Sequence, residues 1–343
     1  MAEFSLRTGT ILKVIVTGYV SSAAPVASSA VLKTSGLRVS PATVRNEMVG
    51  LEGDGYIMRP HISAGGVPSD KGYRYFVDTL DPGSPVQEGA AAHLRTGFQN
   101  ARHEFEAWAE AAAASLASVL GTLAFATTPR AQSATVKAVE LVRLQETIVM
   151  LVVVMRETSI HQEIINTGQL ITDLELEHTR NRLAEATEGK TAGDIEAAMS
   201  LAAGDLEHRA LESTAGVLRQ HQSETYGERV FQGLSRLLEQ PELTSRPGHA
   251  RKVVAAIEDE GSFAALASRA PGDGTPIVMI GSEVPLEDLR DFSVIVSRYG
   301  LPEEAQGVIG LVSPTRMQYD RVLPIVRHTA FALSTMTGQV YRG

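Results

Sequence analysis

The spacing of apolar residues in the N-terminal part of the chain predicts three consecutive helices. Between positions 4 and 22, apolar side chains recur every three or four residues, which is typical of a helix with one buried face. A second, short helix is predicted over 25–32, because proline is favoured in a first helical turn. Ser40 and Pro41 supply a cap and a first residue for a third helix that runs to about position 52. Its inward face is predicted to consist of Val44, Met48 and Leu51.

The residues after the third helix predict a β-hairpin and a further helix. Positions 56–58 are typical of a short strand, 61–66 form a loop rich in Gly and Ser, and Val67-Pro68 starts a return strand. Ser69 can cap the helix that follows. Two helices joined by a tight turn and followed by a hairpin describe a winged helix-turn-helix, a fold whose third helix can enter the major groove of DNA.

Beyond a linker rich in Pro and Gly at 81–85, helical and strand-like segments alternate. One long amphipathic helix is predicted from apolar positions that run from Leu94 to Leu116. Strands are predicted over 136–143, 147–155, 160–166, 277–280, 292–297 and 307–312. The residues from Thr172 to about 240 are acidic and helical, and they begin with a capping-box signature at Thr172 and Glu175. A last helix is predicted over 316–337.

Strand-rich segments on both sides of a helical, acidic segment favour one α+β domain that carries a helical insertion. The predicted fold class is therefore multidomain α+β. We predict four parts: a winged helix-turn-helix at 1–82, the first part of an α/β domain at 83–172, a helical insertion at 173–240, and the second part of the α/β domain at 241–343.

The formal charge of the 343 residues is −9, but it is distributed unevenly. Residues 1–80 carry eight Lys and Arg against six Asp and Glu, whereas residues 173–242 carry seven basic and fourteen acidic side chains. A mildly basic N-terminal domain on an acidic body can still hold DNA, because salt screens repulsion beyond roughly 10 Å.

Composition excludes several other classes of protein. The chain has no cysteine, so disulfides, thiolate zinc sites and cysteine nucleophiles are excluded. The longest apolar run, Ile148 to Met155, is too short to cross a bilayer, and no secretion signal precedes it, so we expect a cytoplasmic protein without membrane contact. None of the nine His residues forms an i, i+4 pair, and Gly189-Lys190-Thr191 lacks the preceding glycine of a phosphate loop, since Ala184 stands there. We therefore predict no enzyme activity, no cofactor and no metal site.

The outward face of the third helix carries the side chains best suited to reading bases. It contains Ala42, Thr43, Arg45, Asn46 and Val49. Arg can pair with guanine, Asn with adenine, and the methyl groups of Ala or Thr can touch thymine. Ser40 and the helix N-terminus can take a phosphate. His61 and Ser63 of the wing are predicted to reach an adjacent groove or the DNA backbone, and Lys71 is also predicted to bind DNA.

Two alternatives stay open on these residues. Helix-turn-helix domains also serve protein contacts, and Arg45 could pair with Glu47 or Asp54 instead of DNA. The α/β domain could also bind a small effector in a pocket formed by Arg298, Tyr299 and Arg316, which would make the protein a ligand-gated transcription regulator.

Several motifs resemble the HrcA family of heat-inducible transcription repressors. They are Ser40, Ala42-Thr43-Val44-Arg45-Asn46-Glu47-Met48, Leu51-Glu52, Gly55-Tyr56, Pro60-His61, Val67-Pro68, Lys71-Gly72-Tyr73-Arg74-Tyr75, Pro285-Leu286-Glu287-Asp288-Leu289-Arg290, Gly310 and Ser313-Pro314-Thr315-Arg316-Met317. The resemblance implies a winged-helix domain, a GAF-like α/β domain, and an inserted helical domain that dimerises. It also implies a cytoplasmic, nucleoid-associated homodimer that binds an inverted-repeat operator on double-stranded DNA upstream of chaperone operons (chaperonin and DnaK-type), is supported by a GroEL-type chaperonin, and is released on heat stress.

Two positions depart from the family pattern. Ala27-Ser28-Ser29 stands where the family usually has Gly-Ser-Arg, and Gly65-Gly66 stands where it has Gly-Arg. Each departure removes an arginine from the predicted DNA face. Restoring one with Gly66→Arg is predicted to tighten binding through a new phosphate contact, unless Gly66 is required for a positive φ angle in the hairpin.

Overall fold

A computed structural model describes residues 4–61, 64–81, 83–102, 104–131, 135–155, 160–223, 226–244, 247–302 and 304–342. The chain forms two compact units, each of mixed α/β architecture. The first contains Met1–Thr128, Glu228–Tyr299 and Val308–Met336. The second contains Pro129–Gly227, Gly300–Gly307 and Thr337–Gly343.

The N-terminal part of the first unit, here called the head (residues 4–80), consists of four helices and a two-stranded sheet. Its elements are α1 (Leu6–Ser22), α2 (Ser28–Ser35), α3 (Pro41–Gly53), β1 (Ile57–Met58), β2 (Val67–Pro68) and α4 (Asp70–Asp78). The side chains of Ser5, Ser40 and Ser69 accept backbone N–H groups at the starts of α1, α3 and α4, which satisfies donors that a helix leaves unpaired. The predicted helix starts at Ser40 and Ser69 are confirmed.

A single apolar core holds the head together. It contains the buried faces of α1 and α3, among them Ile11, Leu12, Ile15, Val44, Met48 and Leu51. The predicted inward face of α3 is thus confirmed. The second helix differs from its prediction, because Pro25 precedes the helix and Ala27 is the residue at its N-cap. Val26 is instead tied by two backbone hydrogen bonds of 2.9 Å to Gly66 in the hairpin.

The rest of the first unit, here called the body, is built on an antiparallel sheet. Its strands are β3 (Leu123–Thr127), β8 (Arg229–Gln232), β9 (Ile277–Ile280), β10 (Phe292–Leu301) and β11 (Ala305–Pro314), in the order β8-β3-β11-β10-β9. Its helices are α5 (Glu88–Asn100), α6 (Phe105–Leu120), α10 (Leu234–Leu238), α11 (Pro241–Thr244), α12 (Pro247–Glu258), α13 (Glu260–Ala267) and α14 (Tyr319–Arg342). Short 3₁₀ turns at Gly281–Glu283 and Glu287–Leu289 join β9 to β10. This architecture is compatible with a GAF-like domain.

Two features of the body differ from the sequence predictions. The single long helix is two helices, because the backbone is extended at Ala101 and at Glu104. The acidic segment is not helical to residue 240, since β8 interrupts it and pairs with β3. The sequence did not predict β3 or β8. For β3 the reason is that the strand is only five residues long and fully buried, so it shows no alternation between polar and apolar positions.

Head and body pack against each other within the first unit. The guanidinium of Arg74 on α4 binds the carboxylate of Glu283 and the carbonyl of Val278, and Ser282 N donates to Asp70 Oδ2 over 3.1 Å. The rings of Tyr73 and Tyr319 lie 5.8 Å apart between centroids. The apolar core is continuous from head to body. The orientation of the head on the body is therefore held by both polar and apolar contacts.

The second unit contains a three-stranded sheet and three helices. β5 (Val136–Gln145), β6 (Ile148–Met155) and β7 (Ile160–Asn166) are antiparallel neighbours, and α7 (Asp173–Thr187), α8 (Ala192–Met199) and α9 (Asp205–Ser223) follow. A two-residue strand, β4 (Arg130–Ala131), pairs with the start of β11. The three predicted strands and the capping box at Thr172 and Glu175 are confirmed.

The helices of the second unit cover one face of the sheet. Leu176, Leu183, Leu211 and Leu218 are buried together with Val139, Leu141, Val149, Leu151 and Val153. The helices that were predicted as a separate insertion at 173–240 therefore share a core with strands that begin at residue 136. Within the described ranges, every helix of the protein is too short or too polar to span a lipid bilayer.

Candidate nucleic-acid interface

The helix α3 presents one polar face to solvent. Ala42, Arg45, Asn46 and Val49 are exposed, and Val49 keeps 53% of its surface accessible although it is apolar. Thr43 is half-buried, with its hydroxyl 2.9 Å from Ser40 Oγ. The predicted outward residues therefore lie together on one side of one rigid helix, because the opposite side is anchored by Val44, Met48 and Leu51.

Glu47 fastens α3 to α1 and is a positioning residue that the sequence did not reveal. Its carboxylate accepts hydrogen bonds from Arg7 Nε over 2.7 Å and from Thr8 Oγ1 over 2.8 Å. Arg45 does not pair with Glu47 or Asp54, and it makes no hydrogen bond or ion pair with any residue in the described ranges. The guanidinium of Arg45 is therefore available to an external partner.

We expect Glu47→Ala to lower the free energy of unfolding by about 1–2 kcal/mol, because it removes a charge-assisted hydrogen bond and leaves the Thr8 hydroxyl without its acceptor. The half-exposed Arg7 limits the effect through solvent screening. Urea denaturation followed by circular dichroism measures it. Arg95→Ala, which breaks the exposed ion pair between Arg95 and Glu88, is the control and is expected to change stability little. An equal effect of both variants would contradict the anchoring role.

The wing is short and its base is buried. β1 and β2 pair with Ile57 opposite Pro68 and Met58 opposite Val67. His61 is exposed, as predicted for a wing residue, whereas Ser63 lies outside the described residues. Arg59 beside the wing is held by the carboxylate of Glu52, which keeps the pKa of that carboxyl below its usual range.

Gly66 lies at the base of the wing and not at its tip. It is buried and does not have a positive φ angle. A Cβ atom at this position would lie 3.0 Å from Ile57 Cδ1 and 3.3 Å from Met48 Cε. Neither sequence interpretation of Gly66 matches this geometry, because the residue is buried without a positive φ angle and an added Cβ would press on the ends of two core side chains.

Lys71 is already engaged within the head. Its ammonium donates to Asp54 O over 2.8 Å and lies 4.2 Å from the centroid of the Tyr56 ring. A contact between Lys71 and DNA would have to compete with both interactions. Ser40 Oγ likewise accepts Thr43 N over 3.1 Å, although the side chain remains exposed.

Two exposed basic residues were missed by the sequence interpretation. Arg38 lies in the turn directly before α3, and Lys33 lies in the last turn of α2. No hydrogen bond or ion pair joins either side chain to another described residue. The signal was available in the sequence, since both flank the turn that joins the two helices.

Each of the three residues proposed to line an effector pocket has a hydrogen-bond partner within the protein. Tyr299 is buried and donates its hydroxyl to Thr127 O, and burial raises the pKa of its phenol. Arg298 Nε donates to Ala270 O over 2.8 Å. Arg316 borders a cavity that lies beside α1 of the head. Among the described residues, no group of three His, Asp or Glu side chains is placed to hold a metal ion.

Residues 106–323, well over half of the chain, match the family profile described as the HrcA protein C terminal domain. The chain belongs to the HrcA family. The resemblance inferred from the sequence motifs is thereby confirmed. Members of this family are repressors that regulate transcription in the heat-shock response, and they are generally not enzymes.

Relatives in this family match almost the whole chain. The heat-inducible transcription repressor HrcA of Dehalococcoides mccartyi (strain CBDB1) is 35% identical over 336 residues, which cover 98% of this chain and 96% of that protein. The HrcA repressor of Roseiflexus castenholzii is 32% identical over 342 residues, which cover 98% and 95%. A crystal structure of a hypothetical protein at 2.2 Å resolution has the same fold, with a TM-score of 0.66, 24% identity, and coverage of 98% of this chain and 100% of that one.

Proposed function

We propose that the protein is a transcription repressor that binds double-stranded operator DNA by placing α3 in the major groove. The observation that carries the proposal is the exposed face of α3, where Arg45 and Asn46 are free of internal partners while Glu47 and the buried face hold the helix in place. The order of the elements, with α1–α3 followed by the β1–β2 hairpin, supports the proposal because it is the order found in a winged helix-turn-helix.

Each exposed residue type on α3 has a base partner. An Arg guanidinium can donate two hydrogen bonds to guanine, Asn can exchange two with adenine, and the methyl group of Ala42 can touch thymine. Arg38 and Lys33 lack the geometry of base readers, since they precede the helix, and they fit phosphate contacts instead. A gel shift with operator DNA against a scrambled duplex of equal length tests binding and specificity together.

Arg38→Gln is expected to weaken binding to operator and scrambled DNA alike. A phosphate contact carries no sequence information, and losing one should reduce the log–log salt dependence of affinity by roughly 0.9. Fluorescence anisotropy at several salt concentrations measures the slope. Arg269→Gln, an exposed arginine on the body, is the matched control and should leave the slope unchanged. An unchanged slope in Arg38→Gln would remove Arg38 from the interface.

We further propose that the protein acts as a homodimer on an inverted repeat, with the second unit as the contact between copies. The outer face of its sheet supports this. Val142, Ile160 and Ile164 on that face are exposed, the latter two to 60% and 66%, and Val142 and Ile164 flank Met150 of the central strand. The apolar faces of α7 and α9 are already buried against the other side of the sheet. We therefore propose that the two copies meet through the sheet and not through the helices. A two-fold axis would place the outer face of one sheet against the same face of the second copy.

Ile164→Arg is expected to weaken dimerisation by about 1 kcal/mol or more, because it places a charge in the apolar contact. Light scattering across a dilution series measures the shift towards monomer. Glu177→Arg on the exposed side of α7 is the control and should stay dimeric. A deletion of 173–240 would not test the contact, since it would also remove β8 from the body. A dimer of unchanged affinity in Ile164→Arg would place the contact elsewhere.

The proposed targets are chaperone operons, with release on heat stress and support by a GroEL-type chaperonin, and the proposed location is the nucleoid in the cytoplasm. The shared name of the relatives supports the link to heat. Mapping DNA occupancy across the genome before and after a heat step tests the targets.

Adding purified chaperonin to a gel shift at several temperatures tests the proposed chaperonin partner. An operator affinity that does not change when chaperonin is added would count against this partner.

A further inference from the structure

A polar cavity of about 180 Å³ lies in the first unit, where α1, α6 and β11 approach the start of α14. At roughly 30 Å³ for each water-sized group, this volume accommodates about six such groups. Its polar wall is formed by Thr122, Gln240, Ser313, Arg316, Gln318 and Arg321. A ligand of that size would contact head and body at once, because Val20 of α1 completes the lining.

Ser313 is a buried residue that borders this cavity. Only 6% of the residue is accessible, and its side chain makes no hydrogen bond to any residue in the described ranges. A hydroxyl without a partner in the protein can donate a hydrogen bond to an oxygen of a ligand. Thr122 beside it is already committed, since its hydroxyl donates to Val312 O over 2.6 Å.

The charged groups at the cavity favour an anion. Arg316 Nε donates to Glu242 Oε1 over 2.6 Å, so these two charges offset each other. Arg321 also borders the cavity and makes one long hydrogen bond of 3.3 Å to Val119 O, with no carboxylate partner among the described residues. Arg321 is an exposed residue at the edge of the cavity, so its guanidinium and the free hydroxyl of Ser313 supply two of the donors that carboxylate and phosphate oxygens require.

We propose that this cavity binds a small oxyanion, a carboxylate or a phosphate, through the Arg321 guanidinium and the Ser313 hydroxyl. Arg316 links the site to the head, because its Nη1 donates to Val20 O over 3.0 Å. A bound oxyanion then stabilises the docked head, since it contacts both sides of the joint and binds the docked arrangement more tightly than an undocked one. The effect of the oxyanion on repression rests on the proposed DNA-binding function, whereas the binding of the oxyanion to the cavity does not depend on that function.

Titration calorimetry of the DNA-free protein with inorganic phosphate and with malonate tests the site, with sodium chloride at equal ionic strength as the salt control. We expect saturable binding of at least one of them. Arg321→Gln should weaken it at least tenfold, and Ser313→Ala should weaken it several-fold. Arg251→Gln, an exposed arginine on α12, should bind like the wild type. Saturation by phosphate alone or malonate alone identifies the class of ligand. Binding to neither, or equal binding in all four proteins, overturns the proposal.

Hydrogen exchange of backbone amides near Val20 tests the coupling. We expect exchange at the end of α1 to slow several-fold when the effective oxyanion is added, and to stay unchanged in Arg321→Gln. Saturable binding without protection at α1 would overturn the coupling to the head. Both measurements use protein without DNA, so a failure to bind operator DNA would refute the proposed function and leave the oxyanion site standing.

Discussion

Replacing Arg45 with alanine is expected to weaken operator binding by about 1–3 kcal/mol, which corresponds to roughly 5–150-fold in affinity. The side chain is exposed on α3 and has no internal partner among the described residues. Its loss therefore removes contacts to DNA without breaking a contact that holds the fold. Asn46→Ala is expected to behave similarly at a neighbouring base pair, because Asn46 is also exposed on the same face.

The specificity of each variant separates base reading from a general loss of charge. Affinities measured on a set of operators with single base-pair changes should show that each variant tolerates substitutions at one position that the wild type rejects. Arg38→Gln is the matched comparison, since it removes one positive charge from the same domain but should weaken all duplexes equally. Circular dichroism should be unchanged in all three variants. If Arg45→Ala and Asn46→Ala both bind the operator like the wild type, α3 is not the recognition helix.

Replacing Gly66 with arginine is expected to destabilise the protein by about 3 kcal/mol and to weaken operator binding. The new Cβ would press on Ile57 and Met48 beneath the wing, and overpacking of this kind costs about 1–3 kcal/mol before the burial of a polar side chain is added. Gly66 also joins Val26 through two backbone hydrogen bonds, so the strand cannot move away without losing them. This expectation reverses the one drawn from the family pattern, in which an arginine here tightens binding.

Gly50→Arg is the control for this variant. It introduces the same side chain in α3, where the glycine is exposed and no other group lies within 4 Å of the added Cβ. A helical Gly replaced by Arg should stabilise the protein by up to about 1 kcal/mol. Thermal unfolding of both variants makes the comparison of stability, and operator affinity of Gly66→Arg and the wild type over a range of salt tests for a new DNA contact. A Gly66→Arg protein of normal stability whose salt slope is steeper by about one would restore the original interpretation.

The local elements of the head and the second unit were predictable because each has a strong local signal. Ser40 before Pro41 marks the start of α3, and Thr172 with Glu175 marks the start of α7, since capping depends on side chains only three residues apart. The apolar residues of α3 recur with the helical period of 3.6 residues, which identifies its inward face. The remaining residues must then form its outward face. The sequence therefore predicted the part of the candidate site that lies on the single helix α3.

Elements that depend on distant partners were not predictable in the same way. β3 and β8 are neighbours in the sheet although about a hundred positions separate them, and the break between α5 and α6 has no Pro or Gly to announce it. Arg7 and Glu47 are forty positions apart, so their ion pair has no local pattern. The same is true of the joint between head and body, where Arg74 meets Glu283 across 209 positions.

The sequence by itself determined the start and the buried face of α3, the face that it leaves exposed, and the family, because capping, periodicity and motif identity are properties of short segments. Only the tertiary structure decided that Arg45 is free while Glu47 and Lys71 are engaged, that Gly66 lies under the wing, and that the strands from residue 136 share a core with the helices after residue 172. These features depend on which groups, distant in sequence, surround each side chain in the folded protein. Because protein interiors are packed about as densely as organic crystals, those neighbours leave each side chain little freedom.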